Sequence, residues 1–153
     1  MVSLKNRITI IYCAVLAGCL VFSLVLFLFI GNTAVRKVMF FPDSRGSSMT
    51  GETRYIPRKK SREDMIQKYL QELILGPEKI EFLRLLPRST KLQSVILRDS
   101  TLYIDFNEDI LFQDSDTPLN FNETVEMLES ALFYNFHHLK KVTVTANGQV
   151  PIK

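Results

Sequence analysis

Ile8 to Ile30 is an unbroken run of 23 residues with no charged side chain, and only Thr9, Gly18 and Ser23 fall outside the apolar set. No other feature constrains the chain as strongly. As a helix rising about 1.5 Å per residue it spans roughly 34 Å, enough to cross a hydrocarbon core of about 30 Å. Lipid offers no hydrogen-bond partners, so a segment placed there must be helical. Lys5 and Arg7 precede the run, and Arg36 and Lys37 follow it. This is the layout of an uncleaved signal-anchor, with residues 1–7 as a short basic head, 8–30 as the membrane segment and 31–34 as a linker. A second reading stays open. Leu16-Ala17-Gly18-Cys19 resembles a lipoprotein cleavage box, which would leave a lipidated Cys19. Against it, the residues from Leu20 to Ile30 remain apolar where a lipoprotein tether is ordinarily polar. The flanking cations are nearly balanced, so charge alone does not set the orientation. The short basic head ahead of an N-terminal apolar run favours the N-terminus inside, with the rest of the chain extracytoplasmic.

Both cysteines, Cys13 and Cys19, lie in this run, which excludes disulfides and cysteine-based metal sites from the remainder. The whole chain carries 19 Lys+Arg and 16 Asp+Glu, for +3. Two of the cations sit in the basic head, so residues 35–153 are close to neutral. That balance excludes a strongly basic nucleic-acid binder, and the length allows one small domain.

Within that domain Val35 to Phe41 reads as a strand ended by Pro42. A Ser- and Gly-rich loop runs from Asp43 to Gly51, and a second strand from Glu52 to Ile56. Ser61 and Asp64 have N-capping spacing, and Ile66, Tyr69, Leu70, Leu73 and Ile74 follow a helical period. Gly76 and Pro77 then stop the helix. Pro87 excludes a long helix from 78 to 92. Val95–Arg98 and Leu102–Phe106 form an expected hairpin around Asp99-Ser100, with Leu102, Ile104 and Phe106 on one face. After an acidic loop, Asn107 to Pro118, Asn120 and Glu123 can cap a helix whose inner face is Val125, Leu128, Leu132 and Phe136. Lys141 to Thr145 is a last strand, ended by Asn147-Gly148, with Val142 and Val144 inward. This order predicts an α+β, βαββαβ-type two-layer sandwich: one sheet with two helices on one face, preceded by one transmembrane helix. The expected core is Leu70, Leu73, Ile74, Leu102, Ile104, Phe106, Leu128, Leu132, Val142 and Val144.

Four ordered stretches carry a resemblance. They are Val38-Met39-Phe40-Phe41-Pro42-Asp43 with Glu52-Thr53-Arg54 after it, Leu70-Gln71-Glu72-Leu73-Ile74-Leu75-Gly76-Pro77, Leu86-Pro87-Arg88-Ser89-Thr90-Lys91-Leu92, and Tyr103-Ile104-Asp105-Phe106-Asn107. In this order they resemble the GerMN domain of spore-germination and sporulation proteins, over about residues 35 to 150. The chain departs from the pattern at Asn107, where Ser is usual, and at Ser130-Ala131-Leu132, where Thr-Leu-Thr is expected. It holds one copy, whereas familiar members hold two. The resemblance implies a βαββαβ core like that of ring-building modules, held outside the cytoplasmic membrane on a lipid or helix anchor. It implies roles in envelope assembly and germination, and no enzyme activity.

The residues themselves offer few chemical constellations. His137 and His138, the two histidines of the chain, are adjacent and so point to different faces, a poor arrangement for one metal. Asp105, Asn107, Asp109 and Asp116 imitate positions 1, 3, 5 and 12 of a calcium loop, but Ile110 stands where the sharp turn needs Gly. Asp105, Glu108 and Asp109 could serve a wall hydrolase if two were held about 5–10 Å apart across a cleft. No catalytic, cofactor or metal residue is therefore assigned. Arg54, Arg58, Lys59, Lys60 and Arg62 are the candidate contacts for wall polymer or lipid. The expectation is a non-enzymatic, membrane-anchored interaction domain of the cell envelope. Its partners would be the membrane through Ile8 to Ile30, envelope proteins or a second copy of itself, and cell-wall polymer. A wall-polymer or ligand-binding module is the alternative.

Overall fold

The structure, a computed structural model, describes residues 4–30, 34–44, 48–113 and 115–150. The chain divides into two compact units, one N-terminal and the other Ala34–Lys153. The first is helix α1, Leu4–Ile30, which begins four residues ahead of the apolar run. From residue 7 to 28 every side chain of α1 is exposed. The stretch Arg7–Leu28 is long and apolar enough to cross a membrane. An apolar surface that goes all the way round a helix, with no protein cover, is the pattern of a membrane segment and not of a core helix. Of the expected linker, only Ala34 lies among the described residues, and it opens the first strand.

The second unit is built from strands β1 (Ala34–Pro42) and β2 (Met49–Pro57), helix α2 (Arg62–Leu75), strands β3 (Leu92–Arg98) and β4 (Thr101–Phe106), helix α3 (Phe121–Asn135) and strand β5 (Lys141–Ala146). β1 and β2 are antiparallel, in a register running from Ala34 opposite Pro57 to Pro42 opposite Met49. β2 thus starts earlier than the Ser/Gly-rich composition suggested. Gly51 takes part in the ladder opposite Phe40, and the absence of a side chain matters there, since a Cβ would come within 2.9 Å of the Val38 Cγ1. β3 and β4 form the expected hairpin, with Asp99 at φ 56° in its turn, and β5 runs parallel to β4.

The strands fall into two sheets, β1–β2 and β3–β4–β5, instead of the one sheet that the element order suggested. The reason lies at the strand edges. The Asn135 side chain, at the end of α3, accepts from the Val38 N–H (3.0 Å) and donates to the Val38 carbonyl (2.7 Å), doing what a neighbouring strand would do. The Glu63 carboxylate on α2 accepts from the Leu97 N–H at 2.8 Å. An edge whose groups are satisfied by side chains does not need a ladder.

Both sheets and both helices nevertheless share one core. Met39, Phe41 and Ile56 from the ribbon meet Ile66, Tyr69, Leu70 and Leu73 of α2, Leu128 and Leu132 of α3, and Leu102, Ile104, Phe106, Val142 and Val144 of the larger sheet. Ile74 packs only at the rim, partly exposed. Leu85 and Leu86, in the irregular stretch between α2 and β3, are fully buried. That stretch is pinned by the Leu83 N–H on the Pro42 carbonyl (2.8 Å) and the Arg84 N–H on the Asp116 carbonyl (2.9 Å).

The helix ends follow local sequence. Ser61 Oγ accepts from the Asp64 N–H at 2.9 Å. Asn120 and Glu123 form a reciprocal capping box. α2 ends at Gly76, φ 86°, a conformation that L side chains avoid.

Candidate functional site

The five candidate contact cations separate into two environments. In β2 the side chains of Glu52, Arg54 and Ile56 share the inner face, while Thr53, Tyr55 and Pro57 face out. Arg54 is therefore buried, at 7% exposure, and is not a surface contact. Its Nε donates to Glu52 Oε1 at 2.7 Å, its Nη1 to the Glu72 carbonyl at 3.2 Å and its Nη2 to the Gly76 carbonyl at 2.6 Å. Glu52, equally buried, also accepts from the Glu78 N–H at 3.2 Å. Arg84 completes the arrangement by donating to the Ile74 carbonyl and, at 2.9 Å, to the Leu75 carbonyl. α2 has no basic residue in its own last turn. Two guanidiniums from elsewhere therefore satisfy its free carbonyls and oppose its dipole. The signal was present in the sequence: Arg54 shares the period-2 phase of Ile56, an obvious inward residue.

Arg58, Lys59, Lys60 and Arg62 are exposed. They leave the ribbon immediately after Pro57, whose ladder partner is Ala34. Two rungs further in, Arg36 pairs with Tyr55, both exposed, and the Arg36 Nη2 lies 3.4 Å from Thr53 Oγ1. Sequence reading did not group Arg36 and Tyr55 with the basic run, because only the register brings them together. Lys37 does not belong to this surface. Its Nζ donates to the Asn135 carbonyl at 2.7 Å and sits 3.9 Å from the centre of the Phe136 ring, and partial burial lowers its pKa.

The histidines lie just beyond α3, whose C-cap is Phe136. His137 is exposed. His138 is partly buried, with its Nε2 enclosed and unpaired. Desolvation, then the charges of Arg62 and Lys37, lower its pKa. Nearby, burial holds the Tyr69 hydroxyl far above its usual pKa, partly offset by its bond with Asn135, and the protonated hydroxyl donates to the Val38 carbonyl at 3.1 Å.

The residues that imitated a calcium loop are spent on three separate tasks. Asp105 Oδ1 accepts from the Thr145 hydroxyl at 2.6 Å and from the Gly148 N–H at 2.8 Å. Asn107 Oδ1 accepts from the Lys91 N–H at 2.7 Å, and its Nδ2 donates to Asp109 Oδ2 at 2.7 Å. Asp116 pairs with Arg88. Among the described residues no group of three or more His, Cys, Asp or Glu could hold a metal ion. A depression of about 660 Å³ is lined by Leu111, Asn120, Phe121, Asn122, Ala146, Gln149 and Val150, with no ionisable side chain. Asp105, Glu108 and Asp109 line none of the described depressions.

The fold thus defines a class: a single α+β module of two small sheets and two helices, joined to an apolar N-terminal helix. Residues 38–151 match the family described as "Germane: Sporulation and spore germination", and the chain belongs to that family. Among solved structures it is similar to the tandem GerMN domains of the sporulation protein GerM from Bacillus subtilis, with TM-score 0.59 and 20% identity, covering 76% of this chain and 40% of that one. The chain therefore spans two fifths of the length of that tandem structure. It is also similar to the first GerMN domain of the same protein, with TM-score 0.50 and 19% identity, covering 76% of this chain and 86% of that one. At these identities the likeness shows a shared fold. No curated protein matches the chain.

Proposed function

We propose that this protein is a membrane-anchored interaction module of the bacterial cell envelope, serving sporulation or germination assemblies where the organism forms spores. In this reading residues 1–7 are the cytoplasmic head, 8–30 cross the cytoplasmic membrane, 31–34 link, and 35–153 form an extracytoplasmic domain that binds other envelope components and catalyses nothing. The observation that carries it is the pairing of an apolar helix, exposed at every side chain from 7 to 28, with a family domain in which Glu52, Asp105, Asp109 and Asp116 are engaged in holding its own loops. Acid–base chemistry needs carboxylates free to meet a substrate in a cleft.

The residues after Cys19, from Leu20 to Ile30, stay apolar, which favours an uncleaved anchor over a lipoprotein. Mass spectrometry of the mature N-terminus separates the two, since a lipid on Cys19 would require cleavage before it. Function is tested by photo-crosslinking from exposed positions of the domain in intact membranes. The expected result is a small set of recurrent envelope proteins or a second copy of this chain. Capture of cytoplasmic proteins alone would reverse the orientation, and clearing of wall polymer by the purified domain would overturn the non-enzymatic reading.

A further inference from the structure

The ribbon register brings together cations that are apart in sequence. Ala34 begins β1 and Pro57 ends β2, and the two are ladder partners, about 5 Å apart. Arg58, Lys59 and Lys60 follow Pro57 directly, Arg62 opens α2, and Arg36 lies two rungs inside. All five are exposed. Among the described residues, the hydrogen bonds and ion pairs that occupy Arg54, Lys37 and Arg88 have no counterpart at Arg58, Lys59 or Lys60.

This same end of the ribbon is where the chain arrives from α1. Three residues separate Ile30 from Ala34, and at about 3.4 Å per residue they reach at most roughly 14 Å. The headgroup layer occupies about 5–8 Å beyond the hydrocarbon on each side of a bilayer. Chain length therefore keeps Ala34, and with it the start of the basic run, within a few ångströms of the headgroups if α1 spans the membrane. Tyr55, exposed beside Arg36, is an amphipathic ring of the kind enriched at that depth.

The geometry points to a docking surface for anionic phospholipid headgroups, made of Arg36, Arg58, Lys59, Lys60 and Arg62 at the Ala34/Pro57 end of the ribbon. Lipid is the occupant because the tether holds this surface at the membrane, where charge complementarity is with phosphate. The inference rests on α1 as a membrane segment, but not on which side the domain lies. Each cation near an anionic surface is worth about 1 kcal/mol, or about fivefold in partition. The tether adds a high effective concentration, so modest intrinsic binding is sufficient to hold the domain down.

The test uses the Ala34–Lys153 unit, which carries its own core, and vesicles of phosphatidylglycerol mixed equally with phosphatidylcholine. The domain should sediment with these vesicles and not with phosphatidylcholine alone, and should be released at about 1 M salt, where the screening length is about 3 Å. The variant Arg58→Gln/Lys59→Gln/Lys60→Gln should keep its melting temperature and lose partition about a hundredfold. In the full chain, a fluorophore at Tyr55→Cys in a Cys13→Ser/Cys19→Ser background reports the same contact in nanodiscs. Headgroup-attached quencher should dim it more in phosphatidylglycerol discs than in neutral ones, and high salt should erase the difference. Equal partition to neutral and anionic vesicles overturns the proposal. So does salt-sensitive retention on isolated wall polymer without vesicle binding, which would assign the surface to polymer. Neither result bears on sidedness or protein partners, so failure here is distinct from failure of the envelope-module reading.

Discussion

Replacing Arg54 by Ala removes a guanidinium that is 7% exposed and donates to one carboxylate and two backbone carbonyls. What remains is the problem. Glu52, also 7% exposed, keeps only the Glu78 and Lys79 N–H groups at 3.2–3.4 Å, and the Glu72 and Gly76 carbonyls lose this donor. Breaking one side of a buried ion pair costs about 3–5 kcal/mol, because the surviving charge stays buried without its partner. A domain of this size has about 5–15 kcal/mol in total. Arg54→Ala should therefore lower the urea midpoint of the Ala34–Lys153 unit by about a fifth or more, with the slope unchanged. The paired change Glu52→Gln/Arg54→Met removes both charges and should be about 2 kcal/mol less harmful than Arg54→Ala, since a buried pair as a unit contributes little net stability. A loss below about 1 kcal/mol for Arg54→Ala would place the residue in the range of exposed pairs and refute its role as the buried cap of α2. Equal losses for the single and paired variants would refute the argument about the stranded carboxylate.

Other outcomes follow from the same packing. Leu73→Ala empties a fully buried position on α2 and should cost about 2–5 kcal/mol in thermal or urea unfolding, and an unchanged melting temperature would contradict the core assignment. Asn135→Ala strips the side chain that serves both the Val38 N–H and its carbonyl, at a cost of about 1–3 kcal/mol, and hydrogen exchange at Val38 should accelerate more than at Leu102 in the far sheet. His138 has a folded pKa below its ordinary 6.5, so the unfolded chain binds its proton first. Its contribution is intact above about pH 6.5 and is lost as pH falls through that value towards the folded pKa. Urea titrations at about pH 7.5 and 5.5 should show a smaller drop for His138→Gln than for the natural chain, and identical drops would mean that the imidazole does not titrate differently on folding.

Much of the fold was legible because its signals are local. Ser61, Asn120 and Gly76 announce helix ends through bonds made within three residues of themselves. The alternation of Leu102, Ile104 and Phe106 with exposed Tyr103 needs only the pleat. The division into two sheets was not legible, because it depends on bonds between Asn135 and Val38 and between Glu63 and Leu97, residues far apart in the chain. For the same reason the burial of Leu85 and Leu86 was not legible: their cover comes from other elements, and no period marks them. At the candidate surface, proximity in sequence grouped Arg54, which is buried, with Arg58, Lys59, Lys60 and Arg62, which are exposed. A strand sends neighbours to opposite faces, so one residue of phase separates a buried cap from a surface charge.

The exposed run left by this sorting can attract but cannot readily catalyse. A contiguous stretch of one charge sign offers no partner of the opposite role for acid–base chemistry. Its position gives that attraction a mechanical consequence. The run is held at both ends, by β2 ending at Pro57 and by α2 beginning at Arg62 behind the Ser61 cap. Only four residues, Arg58 to Ser61, lie between them. A surface that binds Arg58, Lys59 and Lys60 therefore fixes the last rung of the ribbon and the first turn of α2 together. α2 carries Ile66, Tyr69, Leu70 and Leu73 into the common core, so fixing its first turn orients the whole Ala34–Lys153 unit. In the proposed docking, then, the cations would do more than add affinity to an already tethered domain. They would select which face it turns outward, and charge reversal in the run should change crosslinking partners before it changes stability.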